Sequence, residues 1–274
     1  GGGAILFEPA HIGWEVLAPR AALGGTMAAI AGRLCEAAAA GLRTLGLEAR
    51  FRPRNDIEVA GRKVGGTGGT VEGEAVLYQG TVLTTLDAPV MAAVLRVPAA
   101  KLADKPAATL RERVTDLATL LGEAPSEATL LDGLAHAFGE ALGVRFEAGG
   151  LLPVEERQAR NALPEIAGEE WVYAVTAPAH PHGTALYRCA GGLLHAAVHL
   201  RPGGRRLQQV WLGGDLLIDP PRAVPDLEAA LRETPVAELT ERVRGFFREH
   251  RVEAVALGPD DVAAALGQAV EAAR

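Results

Sequence analysis

The dipeptide Ala60-Gly61 sits between two strand-like segments, Asn55–Val59 and Arg62-Lys63-Val64. A two-residue link is too short for any crossover, so these segments must turn back on each other as an antiparallel pair. Glu48–Arg52 before them also reads as a strand, and a glycine-rich run, Gly65-Gly66-Thr67-Gly68-Gly69, follows in the hairpin. Ala75–Leu86, rich in Val, Leu, Tyr and Thr, reads as an interior strand. A helix is expected over Gly25–Gly46, because Met27, Ile30, Leu34, Leu42 and Leu45 recur at helical spacing and Gly46 stops it. The chain therefore folds as α+β.

The remaining segments suggest a large N-terminal unit and a small C-terminal one. Ile5–Phe7 and Trp14–Leu17 read as short strands, Ala88–Leu95 as a short helix, and Lys101–Leu117 as a loop ending in a helical turn. Ser126 is placed to cap a helix running to Leu142, with Gly143 as its stop. Residues 149–170, with Gly149-Gly150, Pro153 and Pro164, read as a linker between a domain over 1–148 and another over 171–274. The second domain should open with a three-strand meander, Thr184–Cys189, Leu193–Leu200 and Arg205–Leu212. Helices at 225–232, 236–249 and 259–272 should follow it.

Charge narrows the function. The 274 residues carry a net charge of −7, and the sequence pI is about 5.6, which argues against nucleic-acid binding by overall charge. The acidic excess lies wholly beyond residue 125, so an anionic substrate is sought in the first half. No apolar run is long enough for a membrane span. With only two cysteines and no CxxC pair, a disulfide framework is excluded and a cytoplasmic setting is the expectation.

Of 27 basic residues only Lys63, Lys101 and Lys105 are lysine. A lysine kept against such a bias is a candidate for a role that needs a compact ammonium, which the planar arginine fork does not supply. Lys63 stands beside the glycine run, whose backbone amides can approach phosphate oxygens closely, although a solvated hairpin has the same composition. It is no P-loop, since the lysine precedes the glycines. Gly80, inside a strand, marks either close approach of a ligand or a bulge. His180, His182, His195 and His199 match no standard zinc spacing. Ser126 is the only serine and is needed as a helix cap, which leaves no serine nucleophile.

Four segments, taken in order, resemble the lipoate–protein ligase family, which is related to the biotin protein ligases. They are Gly1-Gly2-Gly3-Ala4-Ile5-Leu6-Phe7; Asn55-Asp56 with Arg62-Lys63-Val64-Gly65-Gly66-Thr67-Gly68; Tyr78-Gln79-Gly80-Thr81-Val82-Leu83; and Lys105 with Thr109–Leu117. The resemblance implies a large catalytic domain with mixed and antiparallel sheets, flanking helices and a small α+β accessory domain. It implies that residues carrying an arginine pair precede Gly1. Gln79, Gly65 and Gly68 depart from the family pattern.

The implied reaction activates lipoate with ATP to lipoyl-adenylate and transfers the acyl group to a lysine of a lipoyl-acceptor protein, the enzyme acting as a monomer. Lys63 would be catalytic. Gly1, Gly2, Gly3, Ala4, Ile5, Phe7, Asn55, Asp56, Gly66, Thr67, Gly68, Gly80, Thr81, Lys105, Arg111 and Arg113 would bind substrate or nucleotide. Asp56 would help hold Mg²⁺. Two rivals remain: a transferase using an octanoyl or lipoyl thioester, for which neither Cys35 nor Cys189 lies in a matching motif, and a family member that binds without turnover.

Overall fold

The computed structural model describes residues 5–53, 55–95, 110–174 and 178–274. The first unit is a five-stranded antiparallel sheet in the order β1-β5-β4-β3-β2. Its strands are β1 (Ile12–Pro19), β2 (Ala49–Arg52), β3 (Asp56–Val59), β4 (Arg62–Glu72) and β5 (Ala75–Val82). Trp14–Leu17 thus falls inside β1. Ile5–Phe7 forms no strand, and Ile5 and Phe7 are exposed. The glycine run is a continuation of β4 and not a loop, because it pairs with β5 along its whole length.

After the short helix α1 (Arg20–Leu23), α2 (Met27–Arg43) covers one face of the sheet. Thr26 caps it by accepting from the Ala29 amide at 3.3 Å. Its apolar stripe, Ile30, Leu34 and Leu42, is fully buried, each side chain contributing about 1.5–3 kcal/mol of burial. The connecting helices α3 (Ala88–Val94), α4 (Leu110–Arg113) and α5 (Leu117–Leu121) lead to α6 (Glu127–Leu142). Ser126 caps α6 through the Thr129 amide at 3.1 Å, and Gly143 ends it in the left-handed conformation. The α2 and α6 backbones meet at Gly41, where a Cβ would stand 3.0 Å from the Leu134 Cα.

The segment expected as a linker is helical: α7 (Pro153–Ile166) and α8 (Glu169–Val172). Neither helix buries a residue. A helix without a buried face carries a linker's polar composition, which explains the difference.

The second unit is the expected meander, β6 (Gly183–Cys189), β7 (Gly192–Leu200) and β8 (Leu207–Gly214), with a separate two-stranded ribbon of β9 (Ile218–Asp219) and β10 (Glu253–Ala254). Helices α9 (Ala223–Ala230), α10 (Leu239–Glu249) and α11 (Pro259–Ala272) enclose its own core. The ribbon meets the first unit. Arg20 of α1 pairs with Asp219 and, at 3.5 Å, with Glu253, while Leu217 and Val255 pack onto the first core. Among the described residues no helix is long and apolar enough to cross a membrane.

A small polar network lies between sheet and α2. The Thr67 hydroxyl is 2.8 Å from the Tyr78 hydroxyl and 3.2 Å from Cys35 Sγ, and Cys35 and Tyr78 are 3.4 Å apart. Burial pushes both the Cys35 thiol and the Tyr78 phenol up from their ordinary values. Both groups therefore stay protonated in the fold after they ionise in the unfolded chain, and the folded state then binds more protons. Stability should accordingly be full below about pH 9, the ordinary thiol value, and decline as pH rises above it. Urea unfolding between pH 8 and 10.5 checks this. Tyr78→Phe should flatten the alkaline decline and cost about 1 kcal/mol at pH 7, since Thr67 keeps its bond to the Asn55 carbonyl.

Candidate active site

Pairing between β3 and β4 slips between Ile57 and Glu58. Asp56 opposes Gly66 and Ile57 opposes Gly65, but Glu58 opposes Lys63, so Val64 is an extra residue in β4. In a regular strand Lys63 and Gly66, three residues apart, would point to opposite faces. The bulge puts them on the same face. That face is the one not covered by α2 and α6. Val64 is fully buried.

The lysine stem lies back over Gly66, where a Cβ would stand 2.8 Å from Nζ and 3.0 Å from Cε. Nζ reaches Asp56 Oδ1 at 2.6 Å. The second oxygen, Oδ2, pairs with Arg52 of β2. Glu58, 4% exposed, is held by Arg50 Nη2 at 2.6 Å and Arg52 Nε at 3.5 Å. Burial pushes the Asp56 carboxyl up, but the charge of Lys63 and the bonds from Lys63 and Arg52 outweigh it, and the carboxyl lies below its usual range.

Beside these charges, among the described residues, the open face is rich in glycine. Register places Asp56, Gly66, Thr81 and Gly13 in one row across β3, β4, β5 and β1. The next row holds Gly68, Gln79 and Glu15. Among the described residues nothing stands within 4 Å of where a Cβ would sit on Gly13 or Gly68. A ligand can therefore lie against backbone next to an ammonium group.

The family's fourth segment supports Lys63 from behind. Val114 forms a parallel bridge to Lys63, and the Thr115 amide donates to the Lys63 carbonyl at 2.8 Å. Leu117 and Ala118 donate to the Leu83 and Thr84 carbonyls. Arg111 and Arg113 lie in α4, in this same segment. The Thr115 side chain is buried and its hydroxyl has no partner among the described residues.

Several expected site residues lie elsewhere. Thr67 and Gly80 face the core. Thr67 joins Cys35 and Tyr78, and the Trp14 ring fills the space over Gly80, within 2.4 Å of where a Cβ would sit. Gly80 thus marks close approach by an indole and not by a ligand. Asn55 anchors the turn, its amide side chain donating to the Thr67 carbonyl at 2.9 Å while its own carbonyl accepts from the Thr67 amide at 2.8 Å. Gly1, Gly2, Gly3, Ala4 and Lys105 lie outside the described residues.

Asp56 does not fit a resident Mg²⁺, because each of its oxygens is already taken by a cation. Among the described residues no group of three or more His, Cys, Asp or Glu side chains could hold a metal. Arg52, Glu58 and Gly13 were not anticipated. The alternation of Arg50 and Arg52 opposite Asp56 and Glu58 was the available signal.

Comparison with known proteins identifies the family. The family model for the lipoyl protein ligase A/B catalytic domain matches residues 1–139. The chain belongs to this family. It is 30% identical over 155 residues to octanoyltransferase LipM of Kyrpidia tusciae, covering 48% of this chain and 57% of that protein. The chain thus spans little more than half the length of that relative. A solved archaeal structure, from a study of a bi-partite lipoate protein ligase and its E2 lipoyl domain from Thermoplasma acidophilum, aligns with TM-score 0.56 at 27% identity, covering 65% of this chain and 70% of that one. The fold of LipL1 from P. falciparum, solved in complex with lipoate, extends over 96% of this chain and 74% of that one, with TM-score 0.68 at 15% identity.

Two glycine substitutions should separate the faces of the sheet. Gly80→Ala overpacks the Trp14 ring and should cost about 1–3 kcal/mol, read from the denaturant midpoint. Gly66→Ala meets only the flexible end of Lys63, so stability should move by about 0.5 kcal/mol or less. It should instead displace the ammonium from Asp56, seen as a change in Lys63 labelling by an amine-reactive probe and mass spectrometry.

Proposed function

We propose that the chain is an ATP-dependent lipoate–protein ligase. The observation that carries this reading is the ammonium of Lys63 at the edge of a bare glycine row, on a sheet face that holds no cysteine. A carboxylate and a triphosphate are both anions, and bringing them together needs a compact cation and close access to backbone. In the first step a lipoate carboxylate oxygen attacks the α-phosphorus of ATP. A P–O bond forms, the bond to the β-phosphate oxygen breaks, and pyrophosphate leaves. In the second step the amine of an acceptor lysine attacks the acyl carbon, the C–O bond to AMP breaks, and the amine gives up a proton.

Lys63 balances negative charge on the carboxyl and phosphoryl oxygens in both steps. With the Lys63 stem over Gly66, the open positions at Gly13 and, one row on, Gly68 admit the ligand to backbone, and Thr81 between Gly66 and Gly13 offers a hydroxyl. The enzyme needs no nucleophile, because the mixed anhydride is already activated. The bi-partite ligase of Thermoplasma acidophilum, studied with its E2 lipoyl domain, supports a lipoyl domain as acceptor.

A second reading, acyl transfer from an octanoyl thioester, draws on the Kyrpidia tusciae octanoyltransferase. Such transfer through a cysteine would need a thiolate near Lys63. Cys35 lies beneath the sheet, and burial pushes its thiol up. Cys189 belongs to β6 and donates to the Gly192 carbonyl at 3.6 Å. Ligation therefore fits these side chains better.

The deciding measurement is the intact mass of an unmodified lipoyl domain after incubation with the protein and lipoate, with and without ATP and Mg²⁺. A lipoyl-sized gain that needs ATP, and that persists in Cys35→Ala and Cys189→Ala, is the expected result. A gain from octanoyl thioester without ATP would replace the ligase reading. Lys63→Arg should lower turnover by about 100-fold, because the planar fork keeps the charge but not the compact geometry. Near-normal turnover in that variant would remove Lys63 from its role.

A further inference from the structure

We infer that Arg52 is a positioning residue, which keeps Asp56 paired when Lys63 turns to an anionic substrate. This rests on the ligase reading above. The two oxygens of Asp56 are divided between two cations, Oδ1 to Lys63 and Oδ2 to Arg52. The Asp56 side chain is only 19% exposed. If Lys63 were its only partner, moving the ammonium onto a substrate anion would strand a half-desolvated carboxylate, which is costly. Asp56 would then either hold the lysine back or take up a proton. A second cation on the other oxygen removes that penalty.

Arg52 is itself fixed for this. Its Nε lies 3.5 Å from Glu58, a buried carboxylate that Arg50 also grips at 2.6 Å. The result is a chain of alternating charge across β2, β3 and β4: Arg50, Glu58, Arg52, Asp56, Lys63. Lys63 is the member whose ammonium lies over Gly66, in the row with Thr81 and Gly13, and it is the member exchanged. Among the described residues, the charged or titratable groups around Asp56 are Arg52 from β2, Glu58 on its own strand, Lys63 from β4, and the protonated Cys35 thiol of α2 below. No member of the chain is a nucleophile.

The exchange can be tested without turnover. Lys63→Met imitates the state in which the ammonium has left. Carbon-detected NMR titration of the Asp56 carboxyl should then show it still at or below the usual carboxylate range, about 4. Adding Arg52→Gln should push it clearly above that range. Equal midpoints in the single and double variants would overturn the assignment.

The second arm is lipoate-dependent release of pyrophosphate from ATP across pH 5–9. Arg52→Gln should lower kcat by about tenfold near pH 6 and move the acid limb upward, because Asp56 then protonates more readily. Arg52→Lys should restore most of the rate. A merely structural loss would lower the rate evenly across pH and would not be rescued. Wild-type turnover with an Arg52→Gln profile that superposes on it would overturn the Arg52 assignment alone. No lipoate-dependent pyrophosphate from wild type would overturn the ligase reading, and the exchange with it.

Discussion

The slipped register between β3 and β4 is the constraint on which the site depends. One extra residue, Val64, lets its own side chain enter the core while Lys63 and Gly66 share the open face. Were β4 paired regularly through Val64, without the slip, the ammonium would point toward α2 and would have to be neutralised or expelled. The bulge therefore sets both the packing beneath the sheet and the chemistry above it. The bond from Thr115 to the Lys63 carbonyl, and the paired oxygens of Asp56, then hold the lysine where the bulge has aimed it.

Much of this was legible in the chain. The period of α2, the cap and stop of α6, the Ala60-Gly61 turn and the meander of the second unit all follow from local signals that the structure repeats. Lys63 and Asp56 stood out because one is a scarce ammonium and the other lies in an Asn-Asp pair before a tight turn. The adjoining glycines were harder to read. Strand alternation shows itself through side chains, and a run such as Gly65-Gly66-Thr67-Gly68-Gly69 has almost none. Its continuation in β4 is fixed by pairing with β5, a long-range fact.

Facing was harder still. Gly80 and Thr81 are adjacent, yet one is pressed against Trp14 and the other lies in the row with Gly66. Only the parity of β5 separates them, and parity needs an origin that the sequence does not mark. Arg52 is unmarked in the sequence for a related reason. An arginine in a short strand looks like any solvated charge until its neighbour across the turn is known to carry a carboxylate held by a second cation. The helix α7 escaped because it buries nothing, so it lacks the apolar stripe by which helices are recognised.

The two-sided sheet has a further consequence for how this chain can change over time. Along β4, Thr67, Gly69 and Val71 face the packed helices, while Gly66 and Gly68 face the open side. One strand thus answers to two selective pressures at alternating positions, foldability on one parity and reactivity on the other. Variation can accumulate on the open parity at little cost to the core. An insertion or deletion of a single residue would exchange the two sets at once unless a bulge absorbed it, as one does at Val64. Point substitution is therefore the simpler route by which the open face of such a sheet can change while its core is kept.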